Sequence, residues 1–118
     1  MNILIVDDSN FMRMQLRRMV EAEGHVVVGE SENGAKAVTD YHNCNPDLVL
    51  MDITMDTMDG IEATSEIKKI NSQAKIIVCS AMGQEAMVRK AIAAGACDFI
   101  VKPVTKDRFI KSINNIAC

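Results

Sequence analysis

The chain has 118 residues, with 13 Lys+Arg against 16 Asp+Glu, a formal net charge of −3, 48% hydrophobic and 25% charged residues. These values fit one globular domain over residues 1–118 with its own core, and they exclude a disordered or fibrous chain. The mildly acidic balance lacks the basic footprint of a nucleic-acid binder and the polybasic tract of a membrane-surface protein. No apolar run approaches the ~18 residues of a membrane span, and Met1–Asp8 has no signal-peptide basic region, so a cytoplasmic protein is expected. Cys44, Cys79, Cys97 and Cys118 form no CxxC and stand beside no histidine pair; buried free thiols are expected, not a zinc site.

In chain order, five apolar runs alternate with stretches of helical periodicity. Ile3–Val6 reads as a strand, followed by a helix over Asn10–Glu23 that Gly24 stops and that places Met12, Leu16, Met19 and Val20 on one face. Val26–Val28 is the second strand, and Asn33-Gly34 introduces a helix over Ala35–His42 that ends before Asn45-Pro46. Leu48–Met51 is the third strand; its helix follows Asp59, a capping carboxylate with Glu62 three residues on, and carries Ile67 and Ile70 on its core face. Ile76–Cys79 precedes a helix over Gln84–Ala94 closed by Gly95. Phe99–Val101 precedes a helix from Lys106 that carries Phe109, Ile110, Ile113 and Ile116. The strand runs do not alternate with polar residues, which predicts burial on both faces. Alternating strands and helices predict a parallel α/β sheet with helices on both faces, and five units are too few for a closed barrel. The fold class expected is therefore an open doubly wound sheet, whose function lies at the carboxyl ends of the strands.

At those ends stand Asp7-Asp8, Asp52, Ser80 and Lys102-Pro103, while Gly29-Glu30 ends the second strand with less obvious chemistry. Each alone is an ordinary loop or cap residue. With the first, third, fourth and fifth strands contiguous, they meet on one rim. Converging carboxylates repel one another unless a cation intervenes, and oxygen-only ligands suit Mg²⁺. Such a rim can capture a phosphoryl group: Asp52 serves as the carboxylate nucleophile, Asp7 and Asp8 as the metal pair, and Lys102 as a point charge on the phosphoryl oxygens. His25 and His42 share no ligand or triad spacing.

The segments Ile3–Ser9, Asp47–Ile53, Met58-Asp59-Gly60, Ser80-Ala81 and Asp98–Pro103 resemble the receiver domain of two-component response regulators. Ser9–Arg13 and Ile77–Gly83 resemble stand-alone chemotaxis regulators of the CheY type in particular. The resemblance implies the flavodoxin-like strand order 2-1-3-4-5. It implies Asp52 as phosphoacceptor, and Asp7, Asp8, Asp52 and the backbone carbonyl of Thr54 as Mg²⁺ ligands. It implies Lys102 as the phosphate-binding lysine, joined to Pro103 by a cis peptide bond, with Ser80 as the switch hydroxyl and Phe99 as the switch aromatic. The function implied is a signalling switch rather than an enzyme, one that promotes its own phosphorylation and dephosphorylation. Its partners would be a histidine kinase of the chemotaxis type, a downstream protein target for which the flagellar motor switch is a candidate, and a separate phosphatase, with no direct nucleic-acid or membrane partner. A phosphorelay intermediate, or a receiver excised from a DNA-binding regulator, is the alternative.

A haloacid-dehalogenase-type phosphatase would need D-x-D after the first strand where Asp7-Asp8-Ser9 stands, and a flavodoxin would need a Ser/Thr/Gly-rich loop there and more aromatics than Tyr41 and three Phe. Two departures from the family's pattern are Asp56, where Pro is usual, which removes a φ restraint and adds a charge near the metal, and Val104, where an aromatic is common. By the family's geometry Thr54 and Met82 flank the path of water to the phosphoryl group, and neither side chain is a carboxylate or amide able to align that water. Slow intrinsic dephosphorylation is therefore expected. A Thr54→Asn, Met82→Glu double variant, followed as decay of the phosphorylated protein at saturating Mg²⁺, should decay faster than the parent; an unchanged rate would show that water orientation at these positions does not set the lifetime.

Overall fold

A computed structural model describes residues 1–53, 60–81 and 85–116. Each strand–helix unit foreseen from the hydrophobic pattern forms: β1 (Asn2–Val6), α1 (Asn10–Ala22), β2 (Val26–Ser31), α2 (Gly34–Cys44), β3 (Leu48–Asp52), α3 (Gly60–Ile70), β4 (Ile76–Ser80), α4 (Glu85–Ala93), β5 (Asp98–Val101) and α5 (Lys106–Asn114). The strands pair in the order β2-β1-β3-β4-β5, every pairing parallel. Local chemistry sets the helix ends. The Ser9, Asn33 and Thr105 side chains each accept a hydrogen bond from a backbone N–H in the first turn of α1, α2 and α5. Gly24, at φ 83°, turns the chain out of α1 as expected of a left-handed exit.

Because strand side chains alternate, the sheet has two apolar faces. Leu4, Val6, Val49, Met51, Ile76, Val78 and Phe99 pack under α2, α3 and α4 with Ala37, Tyr41, Ala63, Ile67 and Ala91. Ile3, Ile5, Leu48, Leu50, Ile77 and Ile100 pack on the other face against Leu16 and Val20 of α1 and Phe109 of α5. The central strands β3 and β4 are buried throughout, as their unbroken apolar runs predict.

Three expectations need correction. β2 is half-exposed, and Val26 at its start is exposed, because β2 lies at the sheet edge. Ile70 is exposed, since it is the last residue of α3 and falls beyond the contact that Ile67 makes. Cys44 and Cys79 are free thiols, Cys44 only half-buried, whereas Cys97 is disulfide-bonded rather than free; the absence of a CxxC pair does not exclude a bond between cysteines distant in sequence. The proposed cap Asp59 and the start of the fourth helix at Gln84 lie outside the described residues. His25 accepts a hydrogen bond from the N-terminal ammonium at 2.9 Å and meets Phe109 edge-on, and His42 is exposed in the last turn of α2.

Two packing details position the rim. Gly60 opens α3 directly against the end of β3; a Cβ there would stand 2.1 Å from the carbonyl oxygen of Asp52 and 2.7 Å from Ile53 Cα. At the start of β5, Asp98 accepts hydrogen bonds from both terminal nitrogens of Arg108 at 3.2 Å, from Ser112 Oγ at 2.6 Å and from the Phe99 N–H at 2.8 Å. Arg108 also donates to the Phe99 carbonyl at 3.0 Å, so α5 grips β5 by its backbone.

Gly60→Ala should destabilise the chain by about 1–3 kcal/mol in urea unfolding, the usual range for an overpacked site, even though Ala favours helix over Gly by about 1 kcal/mol. Undiminished stability would show that the contact relaxes freely. Burial works to raise the Asp98 pKa, but the bonds from Arg108, Ser112 and Phe99 outweigh it and hold the carboxyl below its ordinary value. A depressed native pKa gives stability that is complete above the unfolded value of about 3.9 and is lost as pH falls through the folded one. Urea midpoints should therefore fall below about pH 4, and less steeply in Asp98→Asn, which has no carboxylate to protonate.

Candidate functional site

Sheet register brings the strand ends level. Val6 pairs with Met51, so Asp7, one residue on, stands beside Asp52 at the end of β3. Asp52 in turn pairs with Cys79, which puts Ser80 one step further along, and Ser80 pairs with Val101, the residue before Lys102. Hence four of the five strands deliver their polar residues to one rim.

Carboxylate oxygens of Asp7, Asp8 and Asp52 lie within 4.8 Å of one another, Asp7 and Asp52 buried and Asp8 exposed. Lys102 reaches across from β5 and donates from Nζ to Asp7 Oδ2 at 2.8 Å, with Asp52 Oδ1 at 3.6 Å. Desolvation disfavours the ammonium, but the bond to Asp7 and the charges of Asp52 and Asp7 prevail and raise the Lys102 pKa, so the cation persists at neutral pH. Asp7 is held from its other side by the Ser9 N–H, which donates to Oδ1 at 3.0 Å. Two buried acids beside an exposed one, all oxygen donors, form a ligand set for a hard divalent cation, and the open side of Asp8 leaves room for water or a phosphoryl oxygen.

Ser80 is fully buried at the end of β4, and its carbonyl accepts from the Lys102 N–H at 2.7 Å. Phe99 is buried in the core under α2–α4. The Lys102–Pro103 peptide bond is cis. Cys79 pairs with Asp52 in register, yet burial pushes its thiol up to about 12, so it is an inert neighbour rather than a nucleophile. Thr54, Asp56 and Met82 lie outside the described residues. Among the expected residues, the structure therefore brings together Asp7, Asp8, Asp52 and Lys102, with Ser80 and Phe99 on the two strands that lead to Lys102.

Sequence reasoning left Glu30 without a part. Its carboxylate receives Arg13 Nε at 3.3 Å through one oxygen and Arg17 Nε at 2.9 Å and Nη2 at 2.8 Å through the other, tying the end of β2 to α1. No local motif marks this; it requires β2 to lie next to β1 with α1 packed over them. Only the i, i+4 spacing of Arg13 and Arg17 on a predicted helix hinted at a shared anion.

The response regulator receiver domain, as a sequence family, matches residues 3–114. The chain is 59% identical over 112 residues to the chemotaxis protein CheY of Bacillus subtilis, covering 95% of this chain and 93% of that one. It is 54% identical over 115 residues to CheY of Thermotoga maritima, covering 98% and 96%. A crystal structure of a CheX–CheY–BeF3–Mg²⁺ complex from Borrelia burgdorferi superposes with a TM-score of 0.91 at 38% identity, over 95% of this chain and 85% of that one. With a carboxylate rim at the ends of a 2-1-3-4-5 sheet and a family match along almost all its length, the chain belongs to the response regulator receiver domain family and is closely related to the CheY chemotaxis proteins.

Proposed function

We propose that the whole chain is a receiver domain acting as a phosphorylation switch in chemotaxis, with Asp52 as its phosphoacceptor. The observation that carries this reading is the meeting of Asp7, Asp8 and Asp52 within 4.8 Å beside the ammonium of Lys102. An oxygen of Asp52 attacks phosphorus in a phosphohistidine of a histidine kinase. The P–N bond breaks, the imidazole leaves with the electron pair, and an aspartyl phosphate forms. Asp7, Asp8 and Asp52 would hold Mg²⁺, with the Thr54 carbonyl as a further ligand by likeness to the family. The ion, when bound, neutralises charge on the phosphoryl oxygens. Lys102, released in part from Asp7, turns its ammonium to the same oxygens and holds them. The chain thereby promotes its own phosphorylation, and the same rim serves its dephosphorylation by water.

Ser80 and Phe99 read the event. The Ser80 hydroxyl, one step past the partner of Asp52, donates to the new phosphoryl group, and Phe99 on the adjoining strand adjusts to the space behind it. A partner is switched only to the extent that it binds the two forms unequally. Near-full-length similarity to CheY proteins supports chemotaxis over a phosphorelay intermediate or an excised DNA-binding regulator, and the flagellar motor switch is the proposed target. The Borrelia complex of CheY with CheX supports a separate protein partner, here proposed as a phosphatase. No helix among the described residues is long and apolar enough to cross a membrane, which agrees with the proposed cytoplasmic location.

The test is reaction with acetyl phosphate and Mg²⁺. The intact chain should gain the mass of one phosphoryl group, and Asp52→Asn, an amide of poor nucleophilicity, should gain none. Persistent labelling of that variant would remove Asp52 from the role.

A further inference from the structure

We propose that Arg13 is a positioning residue for the Mg²⁺ site: its guanidinium fixes the peptide unit that joins Asp7 to Asp8 and so sets how the two carboxylates face a shared cation. The inference rests on the reading of Asp7 and Asp8 as metal ligands.

Arg13 lies in the first turn of α1, yet its side chain is only 11% exposed. Three of its nitrogens are engaged with three separate segments. Nη1 donates to the backbone carbonyl of Asp7, Nη2 donates to Asn10 Oδ1, and Nε pairs with Glu30 Oε1 at 3.3 Å. A planar fork of this kind holds direction as well as distance, which a lysine ammonium cannot reproduce. Glu30 is itself held from the other side by Arg17, so the fork is braced against the edge strand β2.

The carbonyl that Arg13 grips belongs to the peptide bond between the two acids. The Asp7 side chain has other restraints, from Ser9 N–H and Lys102. The Asp8 side chain is exposed and springs from the residue directly after that carbonyl, so the plane of this peptide contributes to where it projects. Holding that plane therefore orients the more exposed carboxylate of the pair relative to the buried one. Glu30 also offsets the positive charge of Arg13, which standing alone near the rim would oppose a cation. Groups that orient metal ligands from behind matter to affinity even without touching the ion.

Mg²⁺ titration of the full unphosphorylated chain by calorimetry tests this, with Asp7 carbonyl ¹³C shifts as a second readout. Arg13→Ala should raise the Mg²⁺ Kd about tenfold or more, whereas Arg17→Ala, which loosens Glu30 but leaves the Asp7 carbonyl bonded, should change it less than about threefold. The Asp7 ¹³C′ resonance should move upfield in Arg13→Ala and stay in Arg17→Ala. Labelling by acetyl phosphate at saturating Mg²⁺ should return to the parent rate in Arg13→Ala, placing the defect in the Mg²⁺ requirement. Should that variant not fold, Arg13→Lys retains charge without the fork and should still weaken Mg²⁺ binding. A parent-like Kd in the folded Arg13 variant, or an equal loss in Arg17→Ala, overturns the inference. A parent chain that binds no Mg²⁺ overturns the metal reading itself, and this role with it.

Discussion

The ammonium of Lys102, placed between Asp7 and Asp52, is the interaction around which the rim is organised. Two carboxylates that are almost wholly buried would otherwise repel each other in a poorly screened environment. The bond from Lys102 to Asp7 joins residues 95 positions apart, so it exists only when β1, β3 and β5 stand in one sheet in their observed order. The same ammonium stands 3.6 Å from Asp52 Oδ1, the oxygen donor proposed to take the phosphoryl group. Folding and the proposed chemistry thus draw on one charge balance: removing Lys102 would take away the cation that Asp7 and Asp52 share in the folded chain.

The sheet's packing makes that balance possible. β3 and β4 are buried throughout, which fixes the height at which Asp52 and Ser80 emerge. α3 begins so close to the Asp52 carbonyl that only a residue without Cβ fits, and Gly60 supplies it. The polar rim therefore lies where the fully buried strands end, with the apolar layers below setting positions and the polar residues above them carrying charge.

Two side networks lie flanking the rim, and each ties a helix to a strand by a guanidinium. Arg108 joins α5 to the Asp98–Phe99 end of β5, so any shift of Phe99 is felt by α5. Arg13 joins α1 to the Asp7 carbonyl and to Glu30 of β2. Both use the planar fork to hold a backbone carbonyl and a carboxylate at once, a geometry available to arginine and not to lysine. The first lies behind the proposed switch and the second behind the proposed metal pair.

Much of this protein is determined by the sequence itself. The β-branched runs without alternation, the Ser9 and Asn33 caps and the Gly24 exit mark strands and helices through nearest-neighbour sterics and hydrogen bonding, which act over a few residues. Asp7, Asp8, Asp52, Ser80 and Lys102 are legible as a site because each follows a strand run, and their joint pattern matches a family. What only the tertiary structure decided depends on which segments become neighbours. The half-exposure of β2 follows from its place at the edge, and the exposure of Ile70 from where α3 leaves the core. The clash that makes Gly60 obligatory, and the meeting of Arg13 with Glu30 and of Arg108 with Asp98, are contacts between segments that pattern and propensity treat separately. Local chemistry names the groups, but the distance between them, on which Coulomb and hydrogen-bond energies depend, is fixed only by strand order, register and helix packing.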